Sequence, residues 1–168
     1  MHMNNLIPVS DSFNYNGQTY YTIGNYVDIY EISSIAFGPN TIDIKSFSIP
    51  SNIKHVILLD EFNQEIPKDY FPNTVTTITI NNISKPLAIG SLSNIKNVYL
   101  NDGFNHPIES GILPTTIQKL FLSSNLNCKL FSSNSIPDSR PLEIFYSEPF
   151  NHSFFNNLKN NNIKLVKQ

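Results

Sequence analysis

Five polar or reactive side chains recur once per period of a repeating pattern in this sequence: Gln64, Lys85, His106, Cys128 and His152. His106, Cys128 and His152 are ligand types that zinc accepts at about 2.0–2.3 Å. Stacked in register they would form a line, with neighbours about 5 Å apart or more. Ligands in a line do not converge on a tetrahedral centre, so the column is expected to be a surface stack of polar residues with no metal and no cofactor. Cys128 as a nucleophile needs a helix N-terminus or a cation to lower its pKa. Neither is evident, and strand-like alternation turns Lys129 away. The acids Asp60, Glu61, Glu65 and Asp69 flank Phe62 and read as solvated loop charges. Glu143 has no visible carboxylate partner of the kind glycoside hydrolysis uses. No glycine-rich loop separates a strand from a helix, and no G-x-S-x-G stretch occurs. The expectation is a protein that catalyses nothing.

The elements that would position these residues repeat. Ile49-Pro50, Phe71-Pro72, Leu92-Ser93, Leu113-Pro114 and Ile136-Pro137 open successive segments at spacings of 22, 21, 21 and 23 residues. Each opening leads to an apolar alternation: Val56/Leu58, Ile78/Ile80, Val98/Leu100, Leu120/Leu122 and Ile144/Tyr146. A large apolar residue with a small polar follower comes next: Phe62-Asn63, Ile83-Ser84, Phe104-Asn105, Leu126-Asn127 and Phe150-Asn151. Four residues beyond that spine position stand Ile66, Leu87, Ile108, Leu130 and Phe154. Alternation over four or five residues makes a strand with one buried face. A period near 22 is too short for a strand, a full helix and two turns, so an extended or 3₁₀ return path is expected. The prolines suit that path because they fix φ and forgo an N–H. The Asn column would satisfy turn backbone groups at a buried corner.

These features predict a mainly β, leucine-rich-repeat-like solenoid with a single parallel sheet, repeats of 21–23 residues and little or no helix. Ile32, Ile35 and Phe37 mark a degenerate first copy, so the array is expected over residues 30–156. Asn16-Gly17 signals a hairpin within residues 1–29, read as an N-terminal cap. Ile163 and Leu165 follow Leu158 as a last capping strand within residues 157–168.

Composition narrows the function. Charged residues make up 14% of the chain and the net charge is −2, with no basic stripe, which argues against nucleic acid. No apolar run approaches the roughly 20 residues of a membrane helix, and no basic-then-apolar leader opens the sequence. With the single Cys128, these points lead to the expectation of a cytoplasmic protein without membrane contact.

The chain resembles the FNIP repeat family, short relatives of leucine-rich repeats named for a Phe-Asn-Ile-Pro signature. Phe62-Asn63-Gln64-Glu65-Ile66-Pro67 and Phe104-Asn105-His106-Pro107-Ile108 carry the resemblance, which spans about residues 32–156. It is poorest in the copy opening at Phe71, where Ile83-Ser84 replaces Phe-Asn. The resemblance implies a horseshoe-like solenoid and protein binding, with no catalytic residues to transfer. Some members are joined to an F-box, for which residues 1–29 are too few.

Residues between the inward strand positions define an exposed face. Its central column is Ala36, Ile57, Thr79, Tyr99, Phe121 and Phe145. One flank is Ser34, His55, Thr77, Asn97, Lys119 and Glu143; the other is Gly38, Leu59, Asn81, Asn101, Ser123 and Ser147. Three large rings on adjacent strands, bordered by polar groups, match the aromatic-rich, charge-depleted centre of a protein interface. The expected partner is a protein, met through Ile57, Tyr99, Phe121 and Phe145 with His55, Asn97, Lys119 and Glu143 around them. The alternatives are a carbohydrate-binding or hydrolytic groove, or a purely structural array.

Overall fold

The computed structural model describes residues 6–9, 12–15, 18–22, 25–28, 33–41, 43–138, 141–151, 153–156 and 162–168. Four-residue strands recur once per coil: β5 (Ser34–Phe37), β6 (His55–Leu58), β7 (Thr77–Ile80), β8 (Asn97–Leu100) and β9 (Lys119–Leu122). The five-residue β10 (Leu142–Tyr146) and β11 (Ile163–Lys167) follow. These seven strands lie side by side in chain order and pair in parallel, forming a solenoid. The register runs Ile35, Val56, Ile78, Val98, Leu120, Ile144, Leu165, the column that the alternation of the sequence defines.

The N-terminal segment adds β1 (Leu6–Val9), β2 (Ser12–Tyr15), β3 (Gln18–Thr22) and β4 (Asn25–Asp28). Strands β2 and β3 pair antiparallel with Tyr15 opposite Gln18, and β3 joins the main sheet in parallel beside β5. The turn residues Asn16 and Gly17 lie outside the described residues, as do Ile32 and Leu158. Strands β1 and β4 form a separate antiparallel pair, which the sequence did not foretell.

Two hydrogen-bonded turns bend each coil. Before the strands, the N–H groups of Ile53, Val75, Ile95 and Ile117 donate to the carbonyls of Pro50, Pro72, Leu92 and Pro114 at 2.9–3.1 Å. Proline serves there because its carbonyl, not its missing N–H, makes the bond. After the strands, the N–H groups of Phe62, Phe104, Leu126 and Phe150 reach back three residues at 3.1–3.2 Å. The copy with Ile83 is one residue shorter, and its N–H bonds instead to Asn81 two residues back at 2.9 Å. A third column lies on the return path, where Asp69, Gly90 and Gly111 have φ of 58°, 80° and 86°. A Cβ on Gly90 would come within 2.9 Å of Lys68 Cγ, so a larger residue there would have to displace that side chain as well as adopt a left-handed φ.

One continuous core fills the coils. Ile35, Val56, Ile78, Val98, Leu120 and Ile144 are 0% exposed, and the spine of Phe62, Ile83, Phe104, Leu126 and Phe150 is buried with them. The column after the spine departs from expectation in the last two copies. Ile66, Leu87 and Ile108 are buried, but Leu130 and Phe154 are only partly so, and Phe131 and Phe155 take the interior places. Phe131 bridges directly to Ile108, and its ring meets that of Phe155 edge-on at 5.2 Å. The cause is local winding. A 3₁₀ turn at Cys128–Leu130 and the short helix α1 (Ser153–Asn156) occupy this corner. Helical backbone advances less per residue than extended chain, so one more residue is needed to reach the core.

Candidate binding face

The outward column is not uniformly exposed. Ala36, Ile57 and Thr79 are 0%, 1% and 2% exposed, and Ala36 and Ile57 form a second apolar cluster with Leu59 packed against it. Ile57 is therefore removed from the set of surface contact residues. Its strand is apolar on both faces, with Val56 and Leu58 in the main core and Ile57 in the smaller cluster. Beside it His55 is half-buried and its Nε2 lies 2.8 Å from Thr79 Oγ1. Burial lowers the imidazole pKa to about 4. The neutral ring belongs to the covered part of the sheet.

From β8 onward the face opens. Tyr99 and Phe121 stack at 4.0 Å between centroids with planes 2° apart, and Phe121 and Phe145 at 4.5 Å and 12°. All three rings are half-buried. In-register parallel pairing of Tyr99 with Phe121, and of Phe121 with Phe145, sets this stack, because the strand spacing brings identical positions together. The ring of His55 approaches Tyr99 at 6.5 Å, and the Lys119 ammonium sits 5.7 Å from the Phe145 centroid. The ladder therefore turns ring faces toward one another and ring edges outward. Burial also raises the Tyr99 phenol pKa.

The borders are polar and mutually engaged. Asn97 donates from Nδ2 to Thr77 Oγ1 at 3.2 Å. Glu143 accepts from Lys164 Nζ at 2.8 Å, and this hydrogen bond and charge, with Lys119 behind, hold its carboxyl below the usual range. A glycosidase acid needs the opposite shift. Across the column, Asn101 donates to Asn81 at 2.9 Å, and the two line a small cleft with Asp60, Asp102 and Ser123. Two contributors escaped the sequence reading. Parallel pairing of β11 places Val166 next to Phe145 and Lys164 next to Glu143, lengthening both columns by one strand. The alternating run Ile163–Lys167 was the available signal.

The polar column lies elsewhere and links coils. Gln64 donates from Nε2 to Thr41 O at 2.7 Å and accepts from Ile44 N–H at 2.9 Å. His106 Nε2 donates to Ile83 O at 2.8 Å. Each side chain thus reaches a backbone carbonyl of the preceding coil, 23 residues back. In the shortened copy the backbone does this work, Ser84 N–H donating to Phe62 O at 2.8 Å. Cys128 sits half-buried in the 3₁₀ turn, while His152 lies outside the described residues. The Asn column is exposed rather than placed at a buried corner. Asn127 caps the 3₁₀ turn by accepting from Lys129 N–H at 3.0 Å, and the inter-coil bonds fall to the residue after the Asn.

The family model described as FNIP Repeat matches residues 39–83 and 84–125, together just over half of the chain. No curated protein and no solved structure matches it.

Proposed function

The chain belongs to the FNIP repeat family, and from that premise we propose that it is a non-catalytic module that binds a protein through the open half of its strand face. The observation that carries this reading is the stacked ladder of Tyr99, Phe121 and Phe145. Rings held by one another lose little conformational entropy on binding, and aromatic centres with polar rims are where interface energy concentrates. Asn97, Lys119 and Glu143 form the rim, and Val166 extends the apolar centre. His55 meets the ladder at Tyr99 from the covered side. Neither nucleic acid nor membrane enters this reading, in keeping with the low, scattered charge and with the lack, among the described residues, of a helix long and apolar enough to cross a membrane. The lone Cys128 favours a cytoplasmic setting.

A carbohydrate platform is less well supported, because sugars stack on ring faces and these faces meet each other. The test is photo-crosslinking in cells with benzoylphenylalanine at position 121 or 145, and at Asn105 on the coil edge as control. The proposal expects protein adducts from the face positions alone. Equal adducts from Asn105, or none from either face position, would overturn it.

A further inference from the structure

The outer edge of β11 has the backbone and charge pattern of a strand acceptor. Leu142 donates its N–H to Asn162 O at 2.8 Å, and Gln168 donates to Tyr146 O at 2.9 Å. Backbone groups alternate in direction along a parallel ladder. Residues 162, 164, 166 and 168 therefore face β10, and the N–H and C=O groups of Ile163, Leu165 and Lys167 point the other way. No strand among the described residues covers that side, since β11 ends the sheet order. Ile163 and Leu165 pack against the core yet stay only partly buried.

Charge selects the occupant. The flank column alternates Lys119, Glu143, Lys164 across three paired strands. Lys164 bonds Glu143 but keeps 72% of its side-chain surface, and Lys167 lies 3.4 Å from Glu148 with 61% exposed. Lysines on an open edge oppose pairing with another such edge. The same two lysines, three positions apart, favour a strand with acids opposite both, because opposite charges across a strand pair attract and like charges repel. We propose that the outer edge of β11, which no described strand covers, binds an acidic extended segment of another protein as an added β-strand, with carboxylates opposite Lys164 and Lys167 and an apolar side chain continuing the column through Val166. This site adjoins the aromatic face at Val166 but is defined by the outward backbone groups of Ile163, Leu165 and Lys167.

The probe is a blocked synthetic peptide, Pro-Leu-Glu-Ile-Phe-Glu-Ser, set against the same peptide with both glutamates replaced by lysine. Amide exchange and chemical shifts of the intact protein are followed by NMR. The proposal expects the acidic peptide to slow exchange at Ile163, Leu165 and Lys167, and the basic peptide to bind at least about fivefold more weakly. Lys164→Glu should narrow or invert that preference. Lys167→Pro removes one outward N–H and leaves the inner ladder, so it should weaken binding without changing the melting temperature. Equal binding of the two peptides, or no added protection at the three amides, would overturn the proposal. So would protection that rises with protein concentration alone, which would make a second copy the occupant.

Discussion

Acidification should destabilise this protein through His55, whose imidazole is held neutral by burial. In the fold the imidazole is neutral, bonded to Thr79 and held at a pKa of about 4 by burial, against 6.5 for the free side chain. The unfolded chain takes up the proton first as pH falls. His55 therefore costs nothing above about pH 6.5, and its penalty grows as pH drops toward 4 and levels off below. At about 1.36 kcal/mol per pH unit the full penalty is roughly 3 kcal/mol, with about 2.5 kcal/mol reached by pH 4.5. The perturbation is His55→Gln, whose amide can keep the bond to Thr79 but does not titrate. Urea unfolding at pH 7.5, 6, 5 and 4.5 would be compared for parent and variant. The difference between the two stability curves isolates His55, since every carboxylate is common to both. Parallel curves across that range would refute the burial argument.

Three other substitutions probe the coil. Phe104→Ala should lower stability by about 3–5 kcal/mol, because a buried spine ring leaves a cavity that a stacked array fills poorly; a melting temperature unchanged within error would remove Phe104 from the spine. His106→Ala should cost about 1 kcal/mol by leaving the Ile83 carbonyl without its inter-coil donor. His106→Gln should recover most of that, as Gln64 makes the equivalent bond one repeat pair earlier, and chemical denaturation would show whether it does.

Much of the architecture was legible because a strand with one buried face repeats every second residue and the columns recur at nearly constant spacing. Val56, Ile78, Val98, Leu120 and Ile144 were placed by that logic and all occupy one buried register. Phe131 and Phe155 were not, since the pattern does not show how many residues a short 3₁₀ or helical turn consumes. Ile57 was misplaced although a signal existed. Val56-Ile57-Leu58-Leu59 is an unbroken apolar run, the mark of a strand covered on both faces, whereas Lys119-Leu120-Phe121-Leu122 begins with a charge. The ladder was foreseen as rings stacked on adjacent strands; the nearly parallel ring planes, which turn edges outward and leave the rings half-buried, follow from the packed structure alone. The bridging role of Gln64 and His106 was hidden because a recurring polar donor looks the same in sequence whether it meets water, metal or a carbonyl.

Phe121 is the central ring of the ladder, held between Tyr99 and Phe145. Phe121→Glu removes two stacked pairs, each contributing about 0.5–1.5 kcal/mol, but no main-core volume. The measurement is binding of the crosslinked partner by titration calorimetry, run beside a urea unfolding curve for the same variant. The Phe121→Glu protein should still unfold in one cooperative transition, destabilised by about 1–3 kcal/mol, and should bind more weakly by about 2 kcal/mol or more. Loss of the folded state would put the ladder in the core, and parental affinity in a folded Phe121→Glu protein would place the interface elsewhere.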